Sequence, residues 1–269
     1  MKTRFLTLTV LAAAMLAACD RIDPTEYTIP TGQDREWNGQ RVYIEKYTGP
    51  KCSNCPAADR TLEAAHEVYG DRVVVVSVNS MTDQFGAPMT GYPDMRTSVG
   101  AEWETYWGVS NFPTAYIGRR SGTQYTGAMS NIVGGIEQVV WQEPKVGVEV
   151  EALLSGNEVA IDVDVEVLQP IEGEVNLSLI VTEDSLAYWQ LDGSAPNAEY
   201  VHNHMLRDVV GGTWGTALGL EGTAGERKSL SRTYTVSTAV SKPTNCHIVA
   251  LVTDAATKEV LNCAECRVQ

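Results

Sequence analysis

The sequence is short of cysteine, of proline and of positive charge. Six cysteines in 269 residues are too few for a disulfide scaffold of that size, so their spacing has to carry any argument about them. Eleven prolines, with 43% hydrophobic and 20% charged residues, exclude a collagen-like or largely disordered chain. Lys and Arg number 20 against 34 Asp and Glu, a formal charge of −14, which argues against binding nucleic acid by neutralising phosphates. Phe5 to Ala18 is uncharged but covers only fourteen residues. A membrane-spanning helix needs about 20. There is no internal repeat and no low-complexity tract, and the length suits one large or two ordinary domains.

What is present begins with a sorting signal. Lys2 and Arg4 precede the apolar run, which ends in Leu16-Ala17-Ala18-Cys19. This ending resembles the bacterial lipobox, which implies a signal peptide over 1–18 and a diacylglyceryl group on the Cys19 thiol. The alternative is an ordinary secretory signal ending beside a cysteine. Acyl chains on Cys19 would attach the protein to a membrane, each buried methylene adding about 0.8 kcal/mol. Residues 19–38 read as a polar tether. The compartment is then extracytoplasmic, where disulfides persist.

Two patterns divide the rest. Over 39–143, strand candidates (Arg41 to Tyr47, Val73 to Val78, Thr114 to Gly118) alternate with helix candidates (Pro56 to Tyr69, Ala101 to Gly108, Met129 to Trp141). The valine run at Val73 fits a strand buried on both faces, and the order is that of a mixed α/β domain. Ser80 to Gly100 reads as an insertion. Over 144–269 the period becomes two: Val146, Val148 and Val150, then Val159, Ile161, Val163, Val165 and Val167, then Val175, Leu177, Leu179 and Val181. With turns at Ser155-Gly156-Asn157 and Glu172-Gly173, this indicates an antiparallel sandwich. Leu186 to Lys228 is a connection of about forty residues, long for a structureless loop.

The chemistry-bearing motif is Cys52-Ser53-Asn54-Cys55-Pro56, between a strand and a helix. A thiolate there faces unpaired N–H groups and the positive end of the helix dipole, with Lys51 as a nearby cation. These lower a thiol pKa and improve the sulfur as nucleophile and leaving group. Cys52 is assigned as the more exposed nucleophile, and Cys55, one turn inside, resolves a mixed disulfide. Glu45 or Lys46 is either a proton-transfer aid or a plain strand-end charge. Half of a zinc site, an inert structural disulfide and a redox site that has lost activity are the competing readings. No second Cys/His pair stands at finger-like spacing.

Asn111-Phe112-Pro113-Thr114 precedes a strand later in the chain. The two motifs in this order resemble the thioredoxin superfamily over roughly 41–141. That resemblance implies a cis bond at Pro113 facing the sulfurs, with Phe112 and Pro113 binding an extended substrate segment. Glu45 to Pro56 and Tyr200-Val201-His202-Asn203-His204-Met205-Leu206-Arg207 resemble the 28-kDa outer membrane lipoprotein family of Bacteroidota. The fold then expected is an α/β thioredoxin-like domain followed by an all-β Ig-like sandwich. The localisation implied is the cell envelope, at the outer membrane. The family has been regarded as surface adhesins or receptors.

Other residues carry weaker signals. His202 and His204 would share one face if extended; they read as structural or as the start of a metal site, with no third ligand at a recognisable spacing. Trp189 and Trp214 flank the long connection as core caps or as a binding surface. Cys246, Cys263 and Cys266 suggest a structural disulfide between Cys246 and one of the other two. Cys263-Ala264-Glu265-Cys266 lacks a following helix, so structure is favoured over catalysis. No metal site and no cofactor is expected. The functional expectation is a lipid-anchored thiol–disulfide exchange protein acting on protein thiols or disulfides. The alternatives are a non-catalytic adhesin or receptor for a surface ligand, and a structural envelope component.

Overall fold

The computed structural model describes residues 36–269, and 38–269 form one compact unit. The signal peptide 1–18, Cys19 and most of the tether 19–38 lie outside the described residues.

Strand β1 (Val42–Thr48) is buried along its whole length and runs parallel to β2 (Val73–Asn79), with Val42 beside Val73 and Thr48 beside Asn79. Between them lies helix α1 (Cys55–Tyr69), which buries Ala58, Leu62, Ala65 and Tyr69, the spacing of one helical face. Helix α2 (Ser98–Tyr106) starts at Thr97, whose hydroxyl accepts from the Gly100 N–H at 2.9 Å. Strand β3 (Thr114–Ile117) pairs antiparallel with β1 and then with β4 (Gln124–Thr126). Helix α3 (Ile132–Val140) packs with α1 against one face of these strands, around Val42, Ile44, Val75 and Ile117. A fully buried side chain of this kind contributes roughly 1.5–3 kcal/mol.

Strands β5 (Val146–Ser155) and β6 (Glu158–Val167) form the hairpin expected from the alternation, and β12 (Arg227–Thr235) adds to β6 as a mostly exposed, basic edge. The dry face of this small sheet packs on β7 (Val175–Glu183), β13 (Cys246–Asp254) and β14 (Val260–Arg267). The expected connection 186–228 is instead structured. It contains β8 (Leu186–Asp192), β9 (Ala195–His202), β10 (Met205–Val210) and the short β11 (Thr216–Ala217).

Strand β10 overturns the expected fold class. It lies antiparallel to β7 on one side and parallel to β2 on the other, with Met205 beside Ser77 and the Ser77 N–H donating to His204 O at 2.7 Å. The result is one mixed sheet of nine strands, ordered β14-β13-β7-β10-β2-β1-β3-β4 with β11 on β7. An α/β thioredoxin-like domain followed by a separate all-β Ig-like sandwich is therefore not what forms; the chain is mostly β, with three α-helices among the described residues. The physical reason is the edge of β2. A valine strand buried on both faces and left at a sheet edge would expose unpaired backbone groups, and β10 meets that edge at Ser77.

The sheet also curls. The Val260 N–H donates to Gly118 O at 2.9 Å, and buried Asn262 accepts from the Arg41 N–H at 3.0 Å while donating to Gly39 O and Val146 O. Inside the curl a second core gathers Tyr43, Tyr47, Val76, Trp103, Leu206, Leu251 and Cys263.

Candidate functional site

The site is built where β1 ends. Thr48 accepts from the Ser80 N–H at 2.7 Å, and a turn brings the Cys52 N–H to Gly49 O at 3.0 Å. Gly49 is required by close approach: a Cβ there would lie 2.4 Å from Phe85 O, the same carbonyl that accepts from the Lys51 N–H. Cys52 and Cys55 form a disulfide with their Cα atoms 5.4 Å apart, and Cys55 is the first residue of α1. The first turn of α1 holds no acidic residue, so no carboxylate there offsets the positive end of the helix dipole near the sulfurs. Lys51 adjoins the pair, with its Nζ donating to Asp83 O at 3.2 Å.

The Phe112–Pro113 bond is cis. Thr114 pairs with Tyr47, so Phe112 and Pro113 sit at the end of the sheet where β1 turns toward Cys52. Phe112 stacks on Phe85 with ring centroids 5.1 Å apart, which ties the cis segment to the loop that holds Lys51.

Cys52 is the less deeply buried of the two cysteines, but both are covered. It is 2% exposed and Cys55 is fully buried. The β8–β9 hairpin, more than 130 residues downstream, is hydrogen-bonded to the turn that carries them. The Leu191 N–H donates to Pro50 O at 2.8 Å, and the Gly193 N–H to Ser53 O at 2.9 Å. The buried Gln190 amide donates to Cys52 O at 3.0 Å, Leu191 O at 3.0 Å and Gly49 O at 3.3 Å. Sequence reasoning missed this element. The signal was Gly193-Ser194, a two-residue hairpin loop with Gly193 at φ +59°.

Glu45 and Lys46 point to opposite faces of β1. Glu45 is buried and accepts from Arg119 Nη2 at 2.6 Å and Nε at 2.8 Å, from Tyr47 at 2.7 Å and from Tyr43 at 2.8 Å. Arg119 lies over Trp103, Trp214 and Tyr43. This closed network occupies Glu45 fully, so its role is structural. Trp214 is accordingly a core cap. Lys46 pairs with Asp59 of α1, which also accepts from Tyr200 at 2.8 Å.

His202 and His204 do not share a face. His202 ends β9, buried between Tyr188 and Tyr200, and desolvation lowers its pKa to about 4. His204 sits at φ +58°, with Asp184 accepting from its backbone N–H at 2.6 Å. Among the described residues no group of three His, Cys, Asp or Glu is placed to hold a metal ion.

The C-terminal cysteines are corrected as well. Cys246, Cys263 and Cys266 are free thiols. Cys263 pairs with Leu251 and Cys266 with Ile248, so Cys263 faces the core inside the curl while Cys246 and Cys266 face the sandwich core. Cys246 pairs with neither, which removes the expected partners for a disulfide. Burial pushes the Cys246 and Cys263 thiols up to about 12 and Cys266 to about 11.

Comparison with known proteins fits this picture. The family model described as outer membrane protein Omp28 matches residues 101–269, more than half of the chain. The chain belongs to the Omp28 family. It is therefore an outer membrane lipoprotein of the cell envelope, as the family resemblance implied. No helix among the described residues is long and apolar enough to cross a membrane. HBP35 of Porphyromonas gingivalis is similar in fold, with a TM-score of 0.67 at 15% identity over 87% of this chain and 77% of that one. A protein from Agrobacterium tumefaciens is also similar, with a TM-score of 0.53 at 16% identity over 87% of this chain and 96% of that one. No curated protein sequence matches.

Proposed function

We propose that this Omp28-family lipoprotein, attached to its membrane through lipid on Cys19, performs thiol–disulfide exchange at Cys52 and Cys55. The observation that carries the reading is the placement of that disulfide at the start of α1, at the same sheet end as the cis Phe112–Pro113 bond. A partner thiolate attacks Cys52 Sγ, the Sγ–Sγ bond breaks, and the electron pair leaves on Cys55 Sγ, which the helix N-terminus stabilises as a thiolate. A second partner thiolate then attacks its own sulfur in the mixed disulfide. That step releases the Cys52 thiolate and an oxidised partner. The reverse sequence reduces a partner disulfide. Phe112 and Pro113 supply the backbone edge along which an extended partner segment would pair.

Cys55→Ala leaves Cys52 able to attack but unable to be resolved. The expected result is partner proteins held as adducts that reductant releases; adduct levels no higher than in a Cys52→Ala/Cys55→Ala control would overturn the reading. Burial of both sulfurs favours a second reading, a surface adhesin or receptor with an inert disulfide. On that reading the double variant binds its surface ligand as the parent does. Deleting 186–228 does not test it, because β10 is a central strand of the main sheet.

A further inference from the structure

The β8–β9 hairpin stands apart from both larger sheets as a two-stranded unit. Its root is apolar: Leu186 is buried with Met95 and Met205. Its far end is different. From Gly193 to Glu199 every residue is exposed, and apart from Leu191 the far end is held to the rest of the protein by polar groups. These are the two backbone bonds to Pro50 and Ser53, the Gln190 amide, the exposed Arg60–Asp192 pair at 3.1 Å and the exposed Tyr92 hydroxyl donating to Ala198 O at 3.2 Å, with Tyr200 on Asp59 nearer the root. A two-stranded hairpin so held is a locally weak unit that opens without global unfolding. The Leu191 N–H of β8 and the Gly193 N–H of the hairpin turn take the carbonyls on both sides of Cys52, as an added strand from a partner would.

We infer that the hairpin is a displaceable cap lying where a partner segment would approach Cys52, and that Gln190 is the positioning residue that latches it. The inference rests on the exchange reading and adds its control. In the closed state no thiolate reaches Cys52 Sγ in line with the Sγ–Sγ bond. Release of Gln190 frees the carbonyls of Gly49 and Cys52 and uncovers that sulfur. The thiolate then bonds to Cys52 Sγ as the electron pair leaves on Cys55 Sγ.

The test is the rate at which dithiothreitol reduces the Cys52–Cys55 disulfide in the full chain, beside hydrogen exchange at the Leu191 and Gly193 amides. Gln190→Ala should speed reduction at least about tenfold, the factor expected for a lost buried hydrogen bond, with faster exchange at both amides. Asp192→Asn, which touches only the exposed ion pair, should raise both rates by a smaller, matching factor, and it serves if Gln190→Ala does not fold. Wild-type reduction as fast as in the variants, with both amides already unprotected, would overturn the cap. Equilibration against glutathione separates the two ideas. Variants that dithiothreitol reduces faster, but whose disulfide glutathione never opens, would keep the cap and remove the exchange reading.

Discussion

The chain carries the spacing Cys-x-x-Cys twice, and the two copies behave oppositely. Cys52 and Cys55 span a turn that becomes a helix, and their sulfurs are bonded. Cys263 and Cys266 lie in the extended β14, where residues three apart point to opposite faces, and both are free. The first pair sits at a helix N-terminus; of the second, Cys263 is buried and Cys266 half-buried among apolar side chains that disfavour thiolate. Spacing alone therefore specifies no chemistry. The backbone around it decides whether two sulfurs can meet.

That contrast can be pressed hardest at β1, the strand that delivers the first pair. Glu45→Gln leaves the buried Arg119 charge uncompensated, and should cost about 3–5 kcal/mol in denaturant unfolding. Next comes acid. His202 has a depressed pKa in the folded protein, so the unfolded chain takes up the proton first. Stability is full above pH 6.5 and falls toward pH 4, by up to about 3 kcal/mol. Thermal unfolding across that window should show the loss, and His202→Phe should flatten it. Gly49→Ala forces a Cβ against Phe85 O and should cost about 1–3 kcal/mol, disturbing the first motif and not the second. The smallest effect belongs to the second motif. Cys266→Ser should shift stability by less than about 1 kcal/mol and leave reduction of the first pair unchanged. At pH 8 iodoacetamide should label Cys246, Cys263 and Cys266 slowly in the native protein and rapidly after unfolding, with peptide mapping to assign the sites.

Local elements were legible where one periodicity ruled. The valine alternation of β5 and β6, the α1 face and the strand-to-helix setting of Cys52 could be read directly, because each depends on neighbours a few residues away. The pairing of β10 with β2 could not, since β2 shows only that both its faces are dry and not which strand fills its edge. The cap was half legible. Gly193-Ser194 announces a hairpin, but that its Gln190 reaches Cys52 O depends on a register shift between Tyr188 and Gln190 and on the fused sheet. The cysteine pairing near the C-terminus failed on register, where a shift of one residue changes the face.

The reduction potential of the Cys52–Cys55 couple, measured with the three remaining thiols followed by mass, tests the account most directly. A value between about −270 and −120 mV, the span of thiol–disulfide exchange proteins, is the predicted result. A value below about −300 mV, where structural disulfides lie, would contradict it and leave a binding scaffold with a buried staple.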